Sequence, residues 1–300
     1  VVAGNHGTSY VHFFPKGCNK VLIEDQIETI PVATGVLSGG VQLDSKNACI
    51  DKVCGQLLAL NTVYYVYAYC AEYTPACQMK LSASAQTYDA NGKPNGGGHI
   101  ESPDYGHQIH MADRTQTHVG MVRLMKDGLI AADEGQQPTI SWLNRGHTGM
   151  ARHYGNGQPR LRSCTSYPSI PIGVDANGNT VPAKTTLEWL SYSINTPFGQ
   201  AFTVPNVHFT GTMTTSMTNG QGIVTMHNQA GASISTPGYW NSAGVGGFGG
   251  TQAGNVFSVV TGAEPSNEGY AKVQLMMSNG GSGGCVTIEW GSLYLSPLHS

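Results

Sequence analysis

Hydrophobic and polar positions alternate along this chain in short runs, and no long window repeats at helical spacing. The clearest run is residues 62–69, Thr-Val-Tyr-Tyr-Val-Tyr-Ala-Tyr, dense in the β-branched and aromatic side chains that suit a buried pleated strand. A loop over 71–76 containing Pro75 turns the chain, and residues 78–84 alternate polar and apolar as a half-exposed return strand should. Further strands are predicted at 118–125, 139–144 and 185–192, with turn signals at 89–92 and 95–98. Beyond 197 come runs at 201–210, 222–227, 255–261, 270–277 and 284–290, separated by Gly, Asn and Ser turns, a rhythm that predicts a sandwich or jelly roll. Residues 146–171 thin into Gly, Pro, Arg and Tyr and read as a connector; 244–250 read as a glycine-rich surface loop. The pattern predicts an all-β chain with an N-terminal β domain over 1–165, a connector with short strands over 166–196, and a jelly-roll-like C-terminal β-sandwich over 197–300.

Composition narrows what such a chain does. Only 11% of the 300 residues are charged, 15 basic and 18 acidic, and 40 are glycine; ordinary chains are about 25% charged and about 7% glycine. A formal net charge of −3 without a basic run argues against nucleic-acid binding, which needs clustered Lys and Arg. With 4 Trp, 14 Tyr and 7 Phe the chain is too aromatic for a disordered polymer. A membrane span takes about 20 mostly apolar residues. The best stretch, 57–71, is shorter and carries Asn61, Thr62 and four tyrosines, so no membrane insertion is expected. The first six residues have neither the basic region nor the apolar core of a secretory signal, and a start at Val1 implies that an initiator Met has been removed or lies outside the sequence. Residues 201–300 hold four charges, Glu264, Glu268, Lys272 and Glu289, yet 18 of the glycines.

Seven cysteines cannot all pair within one chain. Cys49 and Cys54, and Cys70 and Cys77, are spaced unlike CxxC metal or redox motifs. Cys70 ends one strand and Cys77 begins the next, so both a bridge across that hairpin and a pair of buried free thiols are compatible with the sequence. Four histidines, His99, His107, His110 and His118, lie close together beside Asp104 and Asp113. His107 and His110 on an extended loop are the candidate metal ligands, but no HExxH or His-x-His motif supports them, and loop histidines more often donate hydrogen bonds; no cofactor is expected. Nucleophilic catalysis has no G-x-S-x-G elbow. Glycan cleavage needs two carboxylates across the scissile bond, and Asp104, Asp113, Asp133 and Glu134 fall in turns, so no catalytic residue is assigned. Sugar binding is easier to accommodate: Tyr239, Trp240 and Asn241 in a Gly-rich stretch, with Asn228 and Gln229, supply an aromatic platform and amide groups, against the plainer reading of Trp240 as core or interface. Trp142, Trp189 and Trp290 read as core. Arg145, Arg152, Arg160 and Arg162 gather around the connector, as surface charge or a docking face for a virion partner ahead of a site for an acidic polysaccharide.

The segment from 57 to 145 resembles a module of tailed-bacteriophage tail fibres and related appendages. Residues 60–69 resemble its L-x-x-x-x-YYVYAY strand, 113–123 (Asp-Arg-Thr-Gln-Thr-His-Val-Gly-Met-Val-Arg) its TRTLVGMVR strand, and 141–145 (Ser-Trp-Leu-Asn-Arg) its SWFNR close. Residues 267–275 loosely resemble a late EGYHxLxL strand. The chain departs from the module in residues 91–110, Gly/His-rich where the module is acidic, and in Cys70 and Cys77. The resemblance implies a virion surface protein, usually a homotrimer, on tail or head. The expectation is therefore a non-enzymatic tail fibre, receptor-binding protein, head spike or decoration. Its expected partners are itself, other virion proteins and host cell-surface polysaccharide. The alternatives are a virion-borne or secreted glycan-degrading enzyme and a cellular carbohydrate-binding module.

Overall fold

A computed structural model describes residues 2–3, 9–13, 19–31, 40–73, 76–88, 94–124, 130, 135–142, 150–154, 160–163, 172–174, 180–182, 186–192, 206–215, 221–227, 238–241, 250–253, 257–258, 269–278 and 286–296; in 2–3, 88, 94–96, 154, 160–182, 206–258, 274–278 and 286–296 only the backbone path is described. Among these residues every regular element is a strand, and the fold is all-β.

The first large sheet is built around strand Val63–Cys70. One edge of that strand pairs with Asp113–Arg123 and the other with Met79–Ala85, both antiparallel. Outside Met79–Ala85 lies Ala48–Ile50, joined in parallel through Ile50 and Ala83, and then Val53–Gln56 at the edge. On the far side, the eleven residues of Asp113–Arg123 serve two partners, Gln108–His110 along the first half and Thr139–Ser141 along the second. His99–Glu101 closes that edge.

Strand Val63–Cys70 is central and buried on both faces, which is why it is continuously apolar and aromatic where a half-exposed strand would alternate. Tyr64, Val66 and Ala68 face an apolar core shared with Val11, Phe13, Val21, Ile23, Ile30, Val41 and Leu43. These come from the short strands Tyr10–Phe13, Lys20–Ile23 and Val41–Asp44 and the turn after Gln26–Thr29. Val63, Tyr65 and Tyr67 face the opposite way, against Met121, Ile140, Trp142, Leu190 and Tyr192. Asp113–Arg123 changes parity midway: His118 sits opposite Tyr67 but Gly120 opposite Val66, a bulge that leaves Val119 and Val122 on the apolar face and His118 and Met121 on the other.

The remaining strands form two sheets. Gly269–Ser278 is flanked by Thr186–Ser191 and Gln221–His227, with Gln136–Gln137 and Gly238–Asn241 at the edges. Val286–Ser296 pairs along its length with Asn206–Thr215 and, on its other side, with Met150–Tyr154 and Arg160–Ser163; Ile172–Val174 and Thr180–Pro182 continue that side. The 150–154 strand approaches 186–191, and the 160–163 strand approaches 269–278, so the two sheets lie against each other as a sandwich. Strands within 150–191, including the stretch expected to be a connector, are thus hydrogen-bonded into the same sheets as the strands beyond 197.

Several expectations change at this level. The signal at 95–98 marks a turn only from Gly97, at φ +67°, because Pro94–Gly96 pairs with Thr87–Tyr88. A Cβ at Gly97 would strike the Ala85 carbonyl, so only glycine fits there. Tyr239, Trp240 and Asn241, expected in a loop, lie on the edge strand Gly238–Asn241, with Ile223 opposite Tyr239 and Gly222 opposite Trp240. Arg152, expected on the surface, is buried: its Nε donates to the Thr186 carbonyl at 3.1 Å, and its guanidinium occupies the space a side chain at Gly135 would need. Arg145 lies outside the described residues, and Arg160 and Arg162 are placed by backbone alone. Trp142 and Trp189 are buried, as core residues should be.

Candidate functional site: the histidine face of the large sheet

The face of the large sheet that carries Tyr65 and Tyr67 is where the polar chemistry collects. On the neighbouring strand Ser82 and Ser84 are buried with their hydroxyls, while Met79, Leu81 and Ala83 turn to the apolar core. The hairpin of His99–Glu101 and Gln108–His110 sets His99 opposite His110 in register. The His99 and His118 imidazoles stack at 4.3 Å, within 4° of parallel. Tyr65 presents its edge to both rings at 5.4 and 5.5 Å, Trp142 lies 5.1 and 5.6 Å away, and Tyr192 closes the cluster at 6.1 and 5.7 Å. Tyr67 bridges His118 and His110. Its hydroxyl donates to the Gly97 carbonyl, Gln86 Nε2 donates to the Tyr65 hydroxyl at 2.8 Å, and His99 Nδ1 meets Gln108 Oε1 at 2.6 Å. His118 Nε2 meets the Tyr192 hydroxyl at 2.8 Å, while its Nδ1 has no hydrogen-bond partner among the described residues.

Burial disfavours the charged form of His107, His110 and His118. Burial first, then the neighbouring His99 and His110, push His118 well below the ordinary histidine value. Burial lowers His107 and His110 as well; for His110 the carboxylates of Asp51 and Asp113 oppose the shift and Lys52 adds to it.

Beside His110 lies a group resembling a nucleophilic triad. The Ser84 hydroxyl is 2.5 Å from Asp51 Oδ1 and 3.2 Å from His110 Nε2. Proton placement rules out that chemistry. The Ala112 backbone N–H donates to His110 Nδ1 at 3.1 Å, so in the neutral ring the proton is on Nε2, which donates to Ser84; the serine proton then goes to Asp51. The histidine is a donor where a nucleophilic serine needs an acceptor, and Ser84 is buried. The network anchors a turn. Asp51 and Lys52, at φ +48° and +66°, form the two-residue loop between Ala48–Ile50 and Val53–Gln56, with Cys49 and Cys54 disulfide-bonded behind it. A loop with both φ values positive usually holds Asn-Gly or Asp-Gly. Here Lys stands in the second place, held by its N–H to Ser82 Oγ, its ammonium to Thr115 Oγ1 and an ion pair with Asp113 at 2.7 Å. Burial raises the Asp113 carboxyl, but Lys52 and the Thr115 hydroxyl and N–H outweigh it and hold the pKa at about 2.

A second joint sits at the end of the same strand. The Arg123 guanidinium stacks 4.0 Å over the Tyr270 ring, lies 3.8 Å from Glu188 and donates to Asn61 at 3.1 Å. Burial, then Glu188, raise the Tyr270 phenol while Arg123 opposes them. His118 and Arg123 thus tie the large sheet to Tyr192, Glu188 and Tyr270 of the following sheet.

The expected site residues fare unequally. His110 is occupied on both nitrogens by Ser84 and Ala112, and His107 stands next to Tyr105 at 6.3 Å; neither joins a three-ligand group among the described residues. The one such group is Glu28, Cys70 and Cys77, and there the two sulfurs are disulfide-bonded to each other. Asp104 is exposed, 3.8 Å from Arg114, and Asp113 is committed to Lys52, so the two do not form an acid–base pair. Asn228, Gln229, Asp133, Glu134, Glu264 and Glu268 lie outside the described residues, as do Cys18, Cys164 and Cys285. Sequence reasoning missed the stacked pair and the Asp51–Lys52 turn. The one available signal for the pair was the crowding of histidines between 99 and 118.

No family model matches the sequence, and no curated protein matches it. Solved structures that it resembles include infectious bursal disease virus, Gx strain, at 11% identity and TM-score 0.25 over 100% of this chain and 70% of that one. A glycoside hydrolase family 43 arabinoxylan arabinofuranohydrolase from Bacillus subtilis is 13% identical at TM-score 0.24, over 87% of this chain and 57% of that one. The T13 viral particle of the same bursal disease virus is 11% identical at TM-score 0.23, over 99% and 67%. Neighbours this distant include both virus particles and a glycosidase, and they carry no argument about activity.

Proposed function

We propose that this chain is a non-enzymatic structural subunit of a virion surface appendage, a tail fibre, receptor-binding protein or head decoration of a tailed-phage-like particle. It assembles as a homotrimer with other virion proteins and adheres to host surface glycans. The observation that carries the reading concerns the three ordered stretches that resemble the appendage module. The first two lie side by side as strands, Val63–Cys70 beside Asp113–Arg123, and the third opens at Ser141, the last residue of the strand Thr139–Ser141 on the other side of Asp113–Arg123. The residues quoted for the resemblance serve architecture: tyrosines fill both faces, Arg123 reaches the next sheet, and Trp142 seals the histidine cluster. The scarcity of charge fits a protein that packs against copies of itself, because unpaired charge is costly to bury.

In this reading Tyr239, Trp240 and Asn241, on an edge strand, are the glycan-contact candidates. Light scattering of the purified chain is expected to give a trimer mass, and electron microscopy of intact particles a place on tail or head; a stable monomer absent from particles sinks the proposal. Release of reducing ends from host capsule or lipopolysaccharide would replace it with the glycosidase reading. Trp240→Ala is expected to weaken adhesion to host cells while leaving the trimer intact.

A further inference from the structure

We propose that the stacked His99–His118 pair is an acid-sensitive latch, closing the large sheet onto the strand Thr186–Ser191 and the Tyr192 that follows it, and releasing them when His118 is protonated. The contact is a joint between two sheets: His118 belongs to Asp113–Arg123 of the large sheet, and Tyr192 directly follows Thr186–Ser191 of the next. One His118 nitrogen is taken by Tyr192. The other has no partner among the described residues, so the doubly protonated ring would hold a buried N–H with no acceptor among them.

The surroundings offer that charge no relief. From the 63–70 strand it meets Tyr65 and Tyr67, from the 99–110 hairpin His99 and, across Tyr67, His110, and from the closing segments Trp142 and Tyr192. The two groups whose charge acts on His118, His99 and His110, both disfavour a cation, and the carboxylates of Asp51 and Asp113 act on His110. The direction follows from linkage. The closed state holds His118 neutral, whereas the opened state lets it titrate near the ordinary value of about 6.5. The latch is therefore fully closed above about pH 6.5; below that, until the lowered folded value is reached, the closing equilibrium weakens by up to about tenfold per pH unit.

Amide hydrogen exchange on the full chain, normalised for the intrinsic exchange rate at each pH, tests this. Between pH 6.5 and 5.5, protection in 186–191 is expected to fall about fivefold, while protection in 10–13 and 41–44, behind the apolar face, stays level. No fall, or an equal fall in both places, overturns the latch. His118→Gln keeps a hydrogen-bonding group without a titrating one and is expected to abolish the pH dependence at 186–191; His110→Gln is expected to leave it in place. If His118→Gln does not fold, nitrogen-15 histidine NMR of the native chain decides. A His118 that titrates near 6.5 without loss of protection at 186–191 overturns the proposal.

Discussion

The two faces of strand Val63–Cys70 share one backbone and differ in almost everything else. One is a core of largely aliphatic side chains with Phe13, drawn from short N-terminal strands and completed by Val119, Val122, Leu124 and Ile130. The other holds stacked imidazoles, tyrosine hydroxyls and a tryptophan, closed by a segment more than 70 residues downstream. The apolar face is held by area removed from water, which is indifferent to pH and to small shifts in angle. The histidine face is held by directional contacts between groups that must stay neutral while buried, so it is specific and conditional. Alternation at period two puts both regimes on one strand, and the bulge at Val119–Gly120 keeps the neighbouring strand in step with them.

The largest test of this contrast is Phe13→Ala. Emptying a buried phenylalanine site is expected to destabilise the protein by about 3–5 kcal/mol in urea unfolding, equally at pH 7.5 and 5.5; a loss that grows with acid would break the comparison. Next comes Gly97→Ala, which places a side chain against the Ala85 carbonyl at positive φ and displaces the carbonyl that Tyr67 caps. A loss of about 3 kcal/mol is expected, read as a lowered thermal midpoint. Cys70→Ser with Cys77→Ser opens a loop of sequence separation 7 beside the apolar face. Its removal should cost about 2.5 kcal/mol, and the unfolding midpoint of the native chain should fall further on adding a thiol reductant, which also opens Cys49–Cys54.

The smallest expected effect concerns Lys52 and Asp113, each about one-third exposed. Lys52→Met should cost less than about 1 kcal/mol at pH 7 because solvent screens the pair. The Asp113 carboxyl lies below its unfolded value of about 3.9. Its contribution is therefore present above about pH 4 and lost as pH falls toward about 2, a window apart from that of the histidines. Asp113→Asn should flatten the stability profile there and leave the range from 6.5 to 5.5 unchanged.

What was legible in the sequence was whatever a strand announces locally. The run at 62–69 and its return at 78–84 each fall within a residue of the strands found, because central burial demands that composition. Residue pattern alone read the long strand from 118, whereas the resemblance to the appendage module placed it over 113–123, where it is found; its polar first half is held as strand by Gln108–His110 and the Lys52 ion pair. The strands before residue 57 have two to four residues each and escaped notice. Met150–Tyr154 and Arg160–Ser163 read as a connector because their shared partner, Val286–Ser296, lies more than a hundred residues away. The histidines were visible as a cluster but not as a stack, since a bulge that resets parity has no local signature beyond one glycine. Asp51–Lys52 hid for a related reason: its positive φ values are sustained by Ser82, Thr115 and Asp113 rather than by a glycine.

The central strand also sets a schedule. One face is completed by residues between 11 and 43 together with Val119, Val122, Leu124 and Ile130, the other by Met121, Ile140, Trp142, Leu190 and Tyr192, so neither neighbouring layer alone can finish the strand. Contacts so far apart in sequence place the chain among slow folders, on a scale of milliseconds to seconds or longer. Until both layers arrive, Val63–Cys70 is an unshielded run of high β propensity and no charge, the composition that pairs with any available edge. The strand that gives the finished protein its centre is thus the segment most exposed to mispairing during synthesis. Refolding yield should therefore fall with protein concentration more steeply than final stability would suggest.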